Sequence, residues 1–199
     1  MRAFALSLAL TLFALAAPAT RAQDAPGDRS RFVLDAAHTQ VAFSIERFGF
    51  NHVLGRFDQV AGEVLLDHSN PERSSVFATI QTESLSSGAS LRDEHLRGER
   101  WLNAAAFPTM TFRSTSVQRT GEHTADVTGD LTIRGVTQAV TLHVRLNQIG
   151  ALPNNRQTGA GFSATASISR TAFGIATAPN LIGDEINITI EALGEAPPA

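Results

Sequence analysis

No cysteine, tyrosine or lysine occurs in the 199 residues, so all 16 basic side chains are arginine. Without cysteine there is no thiol nucleophile, thiolate metal site, disulfide or lipoprotein anchor. Without lysine there is no Schiff base and no phosphate-binding loop of the Walker type; without tyrosine there is no phenolic acid. No basic run exists in a chain of net charge −3, which excludes the electrostatic footprint of a nucleic-acid binder. Metal spacing is missing too. His38, His52, His68, His95, His123 and His143 form no HExxH pair and no close His-x-His. No Gly-x-Ser-x-Gly elbow offers an activated serine. The residue inventory therefore points to no catalytic group, no metal and no cofactor.

What is present falls into a leader, a lead-in, one domain and a tail. Met1–Ala22 has a charged start at Arg2 and an apolar run over Ala3–Ala17, shorter than the ~20 residues of a membrane span. Small residues follow at Ala17-Pro18-Ala19 and Thr20-Arg21-Ala22. This pattern predicts a secretory signal cut after Ala19 or Ala22, hence an exported, soluble product. Residues 23–31 are expected to form a flexible lead-in and residues 194–199, rich in proline, a disordered tail.

Between them the chain alternates. Gln40–Glu46, Phe57–Asp67, Ser75–Thr82, Thr109–Gln118, Thr124–Ile133, Thr137–Leu146, Gly161–Ser169 and Asp184–Glu191 each place apolar residues at every second position. Phe48–Gly55, with two glycines, reads as a turn or short helix. Gly121 and Arg134-Gly135 mark hairpins. About eight strands, each apolar on one face, predict an all-β antiparallel sheet that closes on itself or packs on another. Gly62, Ala78, Gly129, Ala164 and Ala166 fall on inward faces. Small inward residues leave volume, and a barrel of about eight strands can hold one ligand.

One stretch breaks the alternation. Residues 90–106 favour helix, with Ser90 as N-cap, Asp93 reaching back in a capping box, a stripe of Leu91, His95, Gly98 and Leu102, and Pro108 as the stop. A helical lid over one end of the sheet is expected, with Trp101 plugging that end.

These residues also carry a resemblance. Leu34–Phe43, Gly55-Arg56-Phe57, Val60-Ala61-Gly62, Leu91–Leu96, Phe107-Pro108, Gly129–Thr137, Gly161–Ala164, Ile168–Gly174 and Gly183–Ile186 occur in an order and spacing similar to those of the YceI-like, polyisoprenoid-binding family of exported bacterial proteins. The similarity covers residues 32–193. It implies a lipocalin-like barrel holding a long isoprenoid lipid in its hollow, often as a homodimer in the periplasm, with transient membrane contact. Many relatives carry a histidine where this chain has Arg47 or Phe48, so a role built on that histidine is not carried over.

The expected cavity wall is Phe43, Ile45, Val60, Ile80, Leu96, Trp101, Phe112, Leu131, Leu142 and Phe162. Arg92 and His95 are the candidate head-group contacts from the lid. Two other readings compete: a lipid- or quinone-modifying enzyme, which needs a polar cluster inside the apolar hollow, and a structural or interaction protein with a filled core.

Overall fold

The computed structural model describes residues 28–198. The predicted signal segment lies outside them. Eleven strands and, among the described residues, one α-helix follow in chain order. They are β1 (Arg29–Leu34), β2 (Gln40–Arg47), β3 (Asn51–Phe57), β4 (Val60–Asp67), β5 (Ser75–Gln81), the two-residue β6 (Leu85–Ser86), α1 (Ser90–Arg97), β7 (Thr109–Arg119), β8 (Thr124–Ile133), β9 (Val136–Ala151), β10 (Thr158–Ser169) and β11 (Ile182–Glu195).

Every pairing is antiparallel. The order β1-β4-β5-β7-β8-β9-β10-β11 returns to β1, so eight strands close a barrel and leave no edge in the ring. The sheet order continues from β11 through β2 and β3 to β6. β11 pairs with β10 along one side and divides its other side between two partners: Ile182–Glu191 pairs with β2, and Gly194 and Glu195 pair with Leu34 and Val33 of β1. The expected all-β, lipocalin-like barrel of about eight strands is therefore the fold.

Alternation explains the wall. On β10 and β11 small and large residues face each other, Ala164 against Ile190 and Ala166 against Ile188, so the inner layer interdigitates. Arg134 and Gly135 both take positive φ (52° and 73°), the two-residue turn whose twist suits a hairpin between β8 and β9.

Several expectations change. β1 begins at Arg29, inside the segment read as flexible lead-in. Phe32 is fully buried, and Arg29 and Arg31 pair across the ladder with Asp67 and Glu63 of β4. β11 runs to Glu195, two residues into the predicted tail. Phe48–Gly55 is a turn only as far as Phe50; the rest is β3, where the ring of Phe43 occupies the space a side chain at Gly55 would fill. The helix is also shorter. It ends at Arg97, and the following residues turn, with Asn103 at φ 49°. Arg97 donates to the carbonyls of Glu83 and Leu85, which fixes the helix end to the strand edge. Ser90 is not the cap: Ala89 is, and the Asp93 carboxylate instead accepts from the amide and hydroxyl of Ser87. Leu91 is 65 % exposed, so the stripe does not turn inward at that position, although His95 and Leu102 do line the interior.

The inward small residues also behave unevenly. The ring of Phe112 covers Gly129, and the Phe77 carbonyl covers Gly62. Ala78 and Ala164 do open onto empty space, described next.

Candidate functional site

The barrel is hollow. One chamber of about 310 Å³ lies under α1, and a second of about 410 Å³ lies toward the other end. Val41, Ile80, Leu131 and Ile188 line both, forming a waist between them. The inner stripes of single strands run through both: Leu131 and Ile133 of β8 face the first chamber while Ala125 and Val127 face the second. A solid, filled core is thereby overturned.

All ten residues expected to wall a cavity line one. Phe43, Ile45, Ile80, Leu96, Trp101 and Leu131 face the first chamber. Val60, Phe112, Leu142 and Phe162, with Ile80 and Leu131 again, face the second. Arg92 and His95 reach the first chamber from α1. Arg92 donates through Nε to the Ser87 hydroxyl and through Nη2 to the Ser87 carbonyl, both at 2.7 Å, which steadies the guanidinium at the rim. Trp101 and Leu102 come from the turns after the helix rather than from the helix itself.

Among the lining residues that were not expected are two arginines of the first chamber, and both were legible by parity. Arg47 continues the stripe Val41, Phe43, Ile45, so a period of two brings it to the inner face at the end of β2. Arg170 continues Ala164, Ala166, Ile168 past the end of β10. Arg170 is 2 % exposed and donates to four carbonyls, those of Gly183, Ile175, Thr177 and Ile182, at 2.6–2.9 Å. Its guanidinium carbon stands 6.0 Å from the Trp101 ring centroid. A buried cation needs such a cradle, because isolated burial is strongly unfavourable.

Lining residues that remain exposed mark the mouths. For the first chamber these are Arg47 and His95, so it opens between the β2–β3 hairpin and α1. The second opens between the β7–β8 hairpin, with Arg119, Glu122 and His123, and the Asp67–Ser75 loop.

Hydrogen bonds favour the ionised form of three carboxylates, Asp35, Asp67 and Asp184. Asp67 is drawn down to about 2, chiefly by the Asn70 amide and then by Arg29. The His38 ring, then the Ala37 amide, lowers Asp35; the Ser169 hydroxyl, with the hydroxyl and amide of Thr171, lowers Asp184. Histidines are dispersed: His38 pairs with Asp35, His143 with Asp126 and His68 with Ser30. Among the described residues no three metal-ligating side chains come together.

A closed antiparallel barrel with an apolar hollow and a helix over one mouth defines a lipocalin-like class of hollow barrel. Within that class the chain belongs to the YceI-like family, whose domain model matches residues 32–193. A UPF0312 protein of Enterobacter sp. strain 638 is 37 % identical over 160 residues, covering 80 % of this chain and 82 % of the relative. Protein YceI of Salmonella arizonae is 36 % identical over 160 residues, covering 80 % and 83 %. Among solved structures, BcnA of Burkholderia cenocepacia superposes with a TM-score of 0.73 at 26 % identity, covering 80 % of this chain and 98 % of BcnA. A polyisoprenoid binding domain from Saccharophagus degradans shares the fold, with a TM-score of 0.63 at 16 % identity, covering 85 % and 99 %.

Proposed function

We propose that this chain is a periplasmic carrier that holds a long-chain isoprenoid, or a similarly apolar lipid, inside the barrel without transforming it. The observation that carries this reading is the pair of apolar chambers sharing a waist. Their joint volume is roughly 720 Å³, inside the range of about 300–1,000 Å³ usual for small-molecule sites. An apolar cavity of about 150 Å³ takes up one benzene. On that scale the barrel has room for about 25–30 carbons, or five to six isoprene units. Burying a CH₂ gives about 0.8 kcal/mol, so a five-carbon unit gives roughly 4 kcal/mol. Five units give about 20 kcal/mol against an association cost of about 4–15 kcal/mol. A mid-range cost leaves about −10 kcal/mol, a sub-micromolar affinity.

Relatives support the reading in kind: the Saccharophagus degradans neighbour is itself a polyisoprenoid binding domain. The cavity residues would supply dispersion and exclude water, and Arg92 and His95 would meet a polar head at the mouth. Delivery brings that mouth to a membrane. Phe48 and Phe50, 41 % and 91 % exposed at the β2–β3 tip next to Arg47, would touch it first. A homodimer is a further expectation that sedimentation would test.

Mass spectrometry of the gently purified protein should find an isoprenoid or comparable long-chain lipid near one per chain. No bound lipid, together with no uptake of added isoprenoid, would overturn the reading.

A further inference from the structure

The two mouths differ in charge. The second chamber is lined by acids and bases together, Asp67 and Glu122 with Arg119, His68 and His123. The charged and titratable residues lining the first chamber are Arg47, Arg92, Arg170 and His95, with no carboxylate among them. This stands out in a chain whose net charge is −3.

The acids nearest in sequence do not enter that chamber. Glu46 is on the opposite face of β2 from Arg47 and accepts from the Gly49 amide. Asp93 is not among the lining residues; it accepts from the amide and hydroxyl of Ser87, the same hydroxyl to which Arg92 Nε donates. Asp184 feels the charge of Arg170 but bonds the Thr171 amide, and no ion pair joins it to the guanidinium. Carbonyls hold Arg170 in place without cancelling its charge. Its field therefore reaches into an apolar space, where screening by water is weak. Arg47 and Arg92 bring guanidinium donors to the rim above it, and a guanidinium matches the geometry of oxyanions.

We infer that the lipid held by this barrel carries an anionic oxygen head, a phosphate or carboxylate, placed at the Arg47–Arg92–His95 mouth with its tail running through the waist toward the second chamber. This rests on the carrier reading and adds head-group chemistry and polarity to it. Arg47 and Arg92 touch the head. Arg170 acts through the field and by holding the wall.

Trp101 is the chain's single tryptophan and lines the first chamber, so its emission reports occupancy there. The delipidated full chain is titrated with farnesol, farnesyl phosphate and farnesylamine. Farnesyl phosphate should bind roughly tenfold more tightly than farnesol, with farnesylamine weakest. Since exposed charge pairs contribute modestly, Arg47→Gln should reduce the preference for the phosphate over farnesol by about threefold. About 0.5 M salt should narrow the preference in the parent protein, a readout that needs no variant. Equal binding of alcohol and phosphate, or a preference indifferent to salt and to Arg47→Gln, overturns the inference while leaving the carrier reading standing. Full competition by inorganic phosphate at the same concentration would mean a bare anion site and also overturns it. If none of the three prenyl compounds changes Trp101 emission, the carrier reading fails and this inference falls with it.

Discussion

Replacing Arg170 by methionine keeps an unbranched stem, shorter than that of arginine, and removes the fork that straps residues 175–183 to the end of β10. Four carbonyls lose their donor. Hydrogen bonds to a charged group contribute about 1.5–3 kcal/mol each, so independent bonds would total roughly 6–12 kcal/mol. The true figure is smaller. Two of the freed carbonyls, those of Ile175 and Thr177, belong to a loop with exposed residues, where water can replace part of the cradle, and the variant no longer desolvates a cation. Breaking a comparable buried ionic network costs about 3–5 kcal/mol. For a domain of this size that lowers Tm by about 6–20 °C. Thermal and urea denaturation followed by far-UV circular dichroism measure the loss, and Trp101 emission reports the adjoining wall. Arg170→Lys is the discriminating variant: one ammonium cannot span four carbonyls on two segments, so lysine should recover less than half of the stability. If Arg170→Lys unfolds within about 0.5 kcal/mol of the parent, the fork geometry is irrelevant and the reasoning is wrong.

Backbone contact makes Gly62 the least tolerant glycine of the wall. A Cβ there meets the Phe77 carbonyl and the Ala78 Cα, main-chain atoms that cannot rotate away, so Gly62→Ala should cost about 1–3 kcal/mol in urea titration. Gly161→Ala, whose new methyl meets only the Asn147 Cβ at 3.8 Å, should stay within about 0.5 kcal/mol. Asp67 sets an acid limit. Its folded pKa is lowered to about 2 from 3.8, so its contribution is complete above pH ~4 and is lost as pH falls toward 2. Tm should be flat from pH 7 to 5 and drop below 4, and Asp67→Asn should flatten the drop while lowering Tm at neutral pH.

How much of this could be read from the chain depends on where tertiary contacts overrule local pattern. β8 was legible to the residue because Thr124–Ile133 alternates cleanly between two turn signals. β1 was not, since Arg29-Ser30-Arg31 looks like linker until Asp67 and Glu63 arrive from β4 to pair with it. β3 hid behind Gly55, a residue that breaks strands in general and here yields its space to Phe43. The helix was overread because alanines 104–106 favour helix locally, while Gly98 and the anchoring of Arg97 on Glu83 and Leu85 end it earlier. The cavity wall was visible as alternation. Arg47 and Arg170 share that alternation, but each lies one residue past the strand bounds read from the pattern, Glu46 and Ser169. In a hollow barrel, that position is the mouth.

β11 hands over from one neighbour to another near its C-terminal end. Only Val33 and Leu34 join β1 to it, whereas Gly159–Ser169 lines its other side with eleven matched positions. Of the ring's eight seams, this one is stitched by the fewest ladder bonds. Widening the cylinder sideways would therefore cost least along that stitch, beside the Asp35–Thr39 corner, while the remaining junctions keep their registry. Such a vessel has a weakest line along its side as well as two ends.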